Sequence, residues 1–202
     1  MDPAPPSEQT VDLEEKASRE VANLAMERYS DGDEAAFSDL YDVLAPRLYN
    51  YLVRQTRDAV PAEDLLQQTM LQLHASRGSF LRGADVLPWA FAIARRLFID
   101  GYRRQKREAA RNEAHAVEEV AWVEGADDLL QSKRLALEVE RELARLPEAQ
   151  RVVFELMKRD GLTLREVAQV LGTTPNAVKL RAHRAHVTLR IAMNDKADFD
   201  GE

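Results

Sequence analysis

Between two stretches of helical periodicity, residues 163–171 and 175–191, stands the turn Gly172-Thr173-Thr174-Pro175, and it constrains the fold more than any other feature of the chain. Glycine permits the left-handed backbone that ends a helix, threonine caps the next helix, and proline fits its first position. Two helices therefore meet across a turn of about four residues, the spacing of a helix-turn-helix. Upstream, Thr163 and Glu166 have the separation of a capping box. On the second helix Val178, Ala182, Ala185 and Leu189 are spaced four, three and four apart and face inward. The outward face is polar and basic, carrying Asn176, Lys179, Arg181, His183 and Arg184, with Leu180 on the same stripe. Solvated helix faces usually mix in carboxylates at i, i+4, and between Lys179 and Arg190 there is none. This face is expected to enter the major groove of duplex DNA. Its N-terminal half would touch base edges, Leu180 could meet a thymine methyl, and Thr173, Thr174 and Arg190 would lie nearer phosphates.

The remaining periodicity is also helical. Phe37, Leu40, Tyr41 and Leu44 recur on one face, and the pattern resumes after Pro46 with Leu48, Tyr51 and Leu52. Further helices are predicted from Pro61 through Leu66, Met70 and Leu73, and from Pro88 through Trp89, Ile93 and Leu97. Between them residues 77–87 hold Gly78, Gly83 and Asp85 and read as a loop. A second block begins with Leu135, Val139, Leu143 and Leu146, and continues from Pro147 to a stop at Asp160-Gly161. No strand pattern appears, so the fold class is all-α, two small helical domains joined by a flexible acidic linker. The boundaries predicted are 1–32 for an acidic, disordered N-terminal extension with a short helix near residues 13–29, 33–107 for the first domain, 108–131 for the linker, 132–193 for the second domain and 194–202 for an acidic tail.

A formal charge of −7 argues at first against a nucleic-acid partner, but its distribution reverses that reading. Acidic residues gather before residue 42, within 108–128 and after 195, whereas bases dominate 95–107 and 179–190. A phosphate backbone feels local sign over a screening length of about 8–10 Å. The absence of cysteine excludes disulfides and thiolate zinc sites, and His183 and His186, three apart, have no acidic partner nearby. No cofactor or metal is expected. No run of about 18 apolar residues exists, and residues 1–6 lack the features of an export signal, so a soluble, cytoplasmic protein is expected.

Taken together, the two blocks resemble the extracytoplasmic-function (ECF) group of bacterial sigma factors in the sigma-70 family. The run Ala62-Glu63-Asp64-Leu65-Leu66-Gln67-Gln68-Thr69 is similar to that family's polymerase-binding helix. Residues 89–100, continuing to Arg107, resemble its helix for the promoter's minus-ten element; Leu146-Pro147-Glu148-Ala149-Gln150-Arg151 and residues 172–184 resemble its minus-thirty-five reader. The resemblance spans residues 34–192. It implies core RNA polymerase as partner, with Asp64, Leu65, Gln67, Gln68 and Leu71 toward the clamp helices of the beta-prime subunit and further contact to the beta flap. It implies promoter DNA on Arg95, Arg96, Arg103, Arg104 and Arg107, and an extruded minus-ten base held by the preceding loop, where Arg77, Ser79, Phe80 and Arg82 would serve. It also implies a cognate anti-sigma factor.

The residues alone agree with these roles. A basic helix bearing Trp89, Phe91, Phe98 and Tyr102 can track a backbone and stack on unpaired bases, although at that spacing most of the rings are expected in the core. Asp100 is expected to pair with Arg96 or Arg104. The competing classes are a stand-alone helix-turn-helix regulator, a sigma mimic that sequesters an anti-sigma factor, and an enzyme using Asp127-Asp128 to bind a metal. The first should bind duplex by itself. The second should have lost its basic faces. The third has no converging histidine or glycine-rich loop.

Overall fold

A computed structural model describes residues 8–111 and 130–197. The described residues form eight α-helices and a short 3-10 turn, with no strand among them. The chain divides into two compact units, within residues 1–116 and 117–202.

The first unit packs α1 (Glu8–Ser30), α2 (Ala36–Thr56), α3 (Ala59–Ser76) and α4 (Val86–Arg111) around one core. Most of the predicted face of α2 is that core: Leu40, Leu44, Leu48, Tyr51 and Leu52 are fully buried, whereas Phe37 is partly covered and Tyr41 is exposed. Each such leucine contributes about 1.5–3 kcal/mol by leaving water. Pro46 is tolerated inside α2 on an exposed position. Its missing N–H interrupts the helical hydrogen bonding on the solvent side, where water can satisfy the carbonyl left without a donor. Helix α3 starts at Ala59 rather than Pro61, because the Asp58 carboxylate accepts the Val60 N–H (3.0 Å) and caps it earlier. Likewise α4 starts at Val86, with Asp85 accepting the Leu87 N–H (2.9 Å), and Pro88 lies within its first turn.

The short helix expected near residues 13–29 is present but longer, Glu8–Ser30, and over those residues it replaces the disorder expected of the extension. Helix α1 is long, and Ala22, Ala25, Met26 and Tyr29 are buried in the same core as α2. The helical spacing of these four is short and diluted by charges, so it reads weakly until α2 supplies the surface that covers it. Glu15 reaches Arg47 at 3.1 Å, extending the contact toward the N-terminus. Order therefore begins well before Asp33. Helix α4 also runs four residues past the predicted boundary, to Arg111. Asp127 and Asp128 lie outside the described residues.

The second unit holds α5 (Leu130–Arg145), α6 (Glu148–Lys158), α7 (Leu164–Leu171) and α8 (Pro175–Ala197). Leu143, Leu146 and Ala185 form a buried cluster against Val139, Phe154 and Leu189, which ties the long α8 back to α5 and α6. Val167, Ala168 and Val178 close the angle between α7 and α8.

Candidate nucleic-acid interface

In the helix-turn-helix, local chemistry fixes the geometry. Thr163 and Glu166 make both bonds of the capping box: the Glu166 carboxylate accepts the Thr163 N–H at 2.6 Å and the Thr163 hydroxyl accepts the Glu166 N–H at 3.4 Å. Gly172, at φ 59°, takes the left-handed conformation that ends α7, and the Thr173 N–H then donates to the Ala168 carbonyl (3.0 Å). The Thr174 hydroxyl accepts the Ala177 N–H (3.2 Å) at the start of α8. With Val178 and Ala185 fully buried, the orientation of α8 is set. Asn176, Lys179, His183 and Arg184 are exposed, Leu180 is half exposed, and Arg181 and Thr173 are partly covered. The face presented is the basic one, on a rigid helix whose back is core.

The first unit offers a different surface. Helix α4 buries Phe91 completely, its ring 5.2 Å from that of Tyr51. Trp89 is partly covered and lies 5.5 Å from Phe80, and Tyr102 is exposed beside Phe98. Of the rings on α4, Phe91 is core, whereas Tyr102 faces solvent. Arg96, Arg103, Arg104 and Arg107 are exposed, but Arg95 is partly buried, with Nη1 enclosed and unpartnered. Arg104 lies 3.9 Å from Glu108, so its ion pair is with that residue and not with Asp100.

Preceding α4, residues 77–85 form a 3-10 turn and a loop. The loop's two arginines are engaged within the unit. Arg77 donates to the His74 carbonyl (3.0 Å), with its guanidinium 5.5 Å from the centre of the Tyr29 ring. Arg82 pairs with Asp31, which raises the arginine's pKa through the hydrogen bond and the charge together. Ser79 is exposed, whereas Phe80 is partly covered by Trp89.

On α3, Asp64, Gln67 and Gln68 are exposed, Leu65 is partly covered, and Leu71 is 67% exposed. Of these, Gln67 and Leu71 help to line a groove of about 610 Å³, with Tyr29, Phe37, Tyr41, Leu66 and Met70. Gln67 and Leu71 are the two lining residues that the sequence assigned to a docking surface, and Tyr29, Phe37, Tyr41 and Met70 are not among those it assigned. The signal was present in the pairing of exposed Tyr41 with exposed Leu71, which only the packing of α2 on α3 makes adjacent. Among the described residues no group of histidines or carboxylates has the arrangement of a metal site.

Comparison with known proteins places both units. Residues 40–108 match the family model for sigma-70 region 2, and residues 136–189 match that for sigma-70 region 4. The RNA polymerase sigma factor CarQ of Myxococcus xanthus is 35% identical over 167 residues, 82% of this chain and 93% of that protein. The ECF RNA polymerase sigma factor SigF of Caulobacter vibrioides is 35% identical over 162 residues, 79% and 87% of the two chains. In fold, the chain resembles the sigma factor RpoE crystallised with the anti-sigma factor NepR from Bartonella quintana (TM-score 0.65, 24% identity, 78% of this chain and 96% of that one). It also resembles CnrH in complex with the cytosolic domain of CnrY (TM-score 0.63, 20% identity, 87% and 98%).

Proposed function

From the premise that the chain belongs to the ECF sigma factors of the sigma-70 family, we propose a division of labour between its surfaces. As a sigma factor it directs promoter-specific transcription initiation with core RNA polymerase. Helix α8 reads the minus-thirty-five element as duplex, through Asn176, Lys179, Leu180, Arg181, His183 and Arg184, with Thr173 and Thr174 at phosphates. Helix α4 and the loop before it engage the minus-ten element, with Arg96, Arg103, Arg104 and Arg107 on the backbone and Ser79, Phe80 and Arg82 around an extruded base. Asp64, Gln67, Gln68 and Leu71 on α3, with the apolar groove beside them, dock on the polymerase clamp. No covalent chemistry is assigned to the chain. It works in the cytoplasm, where polymerase and promoter meet, and no helix among the described residues is long and apolar enough to cross a membrane. A cognate anti-sigma factor is a further proposed partner, as for RpoE with NepR.

The observation that carries this reading is the exposed, carboxylate-free face of α8 on a helix held from behind by buried Val178 and Ala185. Two family matches in one chain favour a polymerase-borne reader over a stand-alone regulator, which needs only the second unit. Footprinting separates the two. Protection of promoter DNA is expected only when core polymerase is added, and protection by the purified chain alone overturns the assignment.

A further inference from the structure

We propose that one stripe of α1, centred on Asn23 and Glu27, positions the loop before α4 and thereby sets how well that loop discriminates the extruded minus-ten base. The proposal rests on the reading of this loop as the base pocket. Three residues of α1, each one turn further along the helix, and Asp31 just past its end reach the loop and the first residue of α4. Arg19 Nη1 lies 3.0 Å from Asp85 Oδ2. The Val86 N–H donates to Asn23 Oδ1 at 2.9 Å, and the Gly83 N–H donates to Glu27 Oε1 at 2.8 Å. Asp31 pairs with Arg82. From Arg19 to Glu27 the stripe spans about 12 Å at the rise of an α-helix.

At its start the loop is held by Arg77 on His74 and Tyr29 and by Phe80 on Trp89, whereas from Leu81 to Asp85 its own backbone offers little. Its local backbone bonds are those of Phe80 to Arg77 (3.1 Å) and of Ala84 to Leu81 (3.0 Å). Gly83 sits at φ 75°, a left-handed conformation that glycine samples freely, so nothing local pins it. At the start of α4 the first N–H groups have no partner within the helix. Asp85 supplies one acceptor, for Leu87, and Asn23 supplies another from a different helix, 63 residues away in sequence. Extruding a base costs a few kcal/mol. A pocket offsets that cost best when its walls are already in place, since any ordering on binding is subtracted from the affinity. Asn23 and Glu27 are thus positioning residues, acting through the Val86 and Gly83 amides.

The test uses the full chain bound to core polymerase and a single-stranded promoter segment selected for binding by that holoenzyme. The quantity measured is the ratio of affinities for the intact strand and for the same strand lacking the extruded base. Asn23→Ala with Glu27→Ala is expected to lower this ratio about tenfold, two hydrogen bonds being lost where the loop runs into α4. Binding to core polymerase and to duplex bearing the minus-thirty-five element should not change, and Glu27→Gln, which keeps an acceptor, should retain the ratio of the unaltered chain. Should the double variant not fold, Glu27→Ala alone carries the test, at about threefold. A ratio that survives the alanine substitutions overturns this proposal alone. Absence of any preference in the unaltered holoenzyme overturns the pocket reading, and this proposal with it.

Discussion

The two surfaces proposed to face DNA are built by opposite strategies. Helix α8 has its cap and its turn within residues 163–177, its back rests on α5 and α6, and its outward side chains are mostly exposed. The loop before α4 depends on distant parts of its unit. Arg77 is held by His74 and Tyr29, Arg82 by Asp31, and two loop and helix-start amides by Glu27 and Asn23. A duplex reader needs only a rigid helix of the right face, because major-groove edges are already displayed. A reader of an opened strand must supply a shaped pocket, and shape at a loop has to be imposed from outside it.

The sharpest break in the comparison comes from the core behind α4. Phe91→Ala removes a fully buried ring packed on Tyr51 and should cost the first unit about 3–5 kcal/mol. Denaturant unfolding followed by a probe in each unit should show the first midpoint falling while the second stays in place. Next in size are Lys179→Ala and Arg184→Ala. Each should weaken binding of the holoenzyme to the minus-thirty-five duplex by about 1–3 kcal/mol if it touches a base edge, with polymerase affinity unchanged. A phosphate contact would instead lower the salt slope by about one, so titration against salt sorts the two roles.

Helix capping gives a smaller effect confined to the second unit. Thr163→Ala deletes the acceptor for the Glu166 N–H and should cost about 1 kcal/mol in that unit's unfolding. The smallest effect is one of pH in the first unit. The Arg28 hydrogen bond, chiefly, holds the Asp33 carboxyl below its ordinary range. A depressed carboxylate contributes stability above its unfolded pKa and loses it as pH falls through the folded one. Asp33→Ala should therefore flatten the acid limb of the stability profile slightly, since the pair is exposed and screened by solvent.

Legibility in sequence followed the same division. The capping box, Gly172, Thr174 and the inward set Val178 and Ala185 act within a few residues of one another, so their chemistry can be read from spacing alone. In the first unit the helical faces of α2 and α3 were legible for the same reason. What escaped was long-range. Helix α1 read only as a short helix in a disordered acidic extension, because Ala22, Ala25, Met26 and Tyr29 gain meaning only against α2. The sequence assigned Arg77 and Arg82 to an extruded base and showed nothing of their contacts with His74, Tyr29 and Asp31, which form only in the folded unit. The regular placement of Arg19, Asn23, Glu27 and Asp31, one per turn, was the trace that α1 left in the sequence.

Run-off transcription with core polymerase across a promoter library tests the central claim most directly. The account predicts initiation at a fixed distance from promoters sharing two elements, with Lys179→Ala and Arg184→Ala relaxing selection at the upstream one only. Initiation that ignores both elements, or that is unchanged when the chain is omitted, would contradict it.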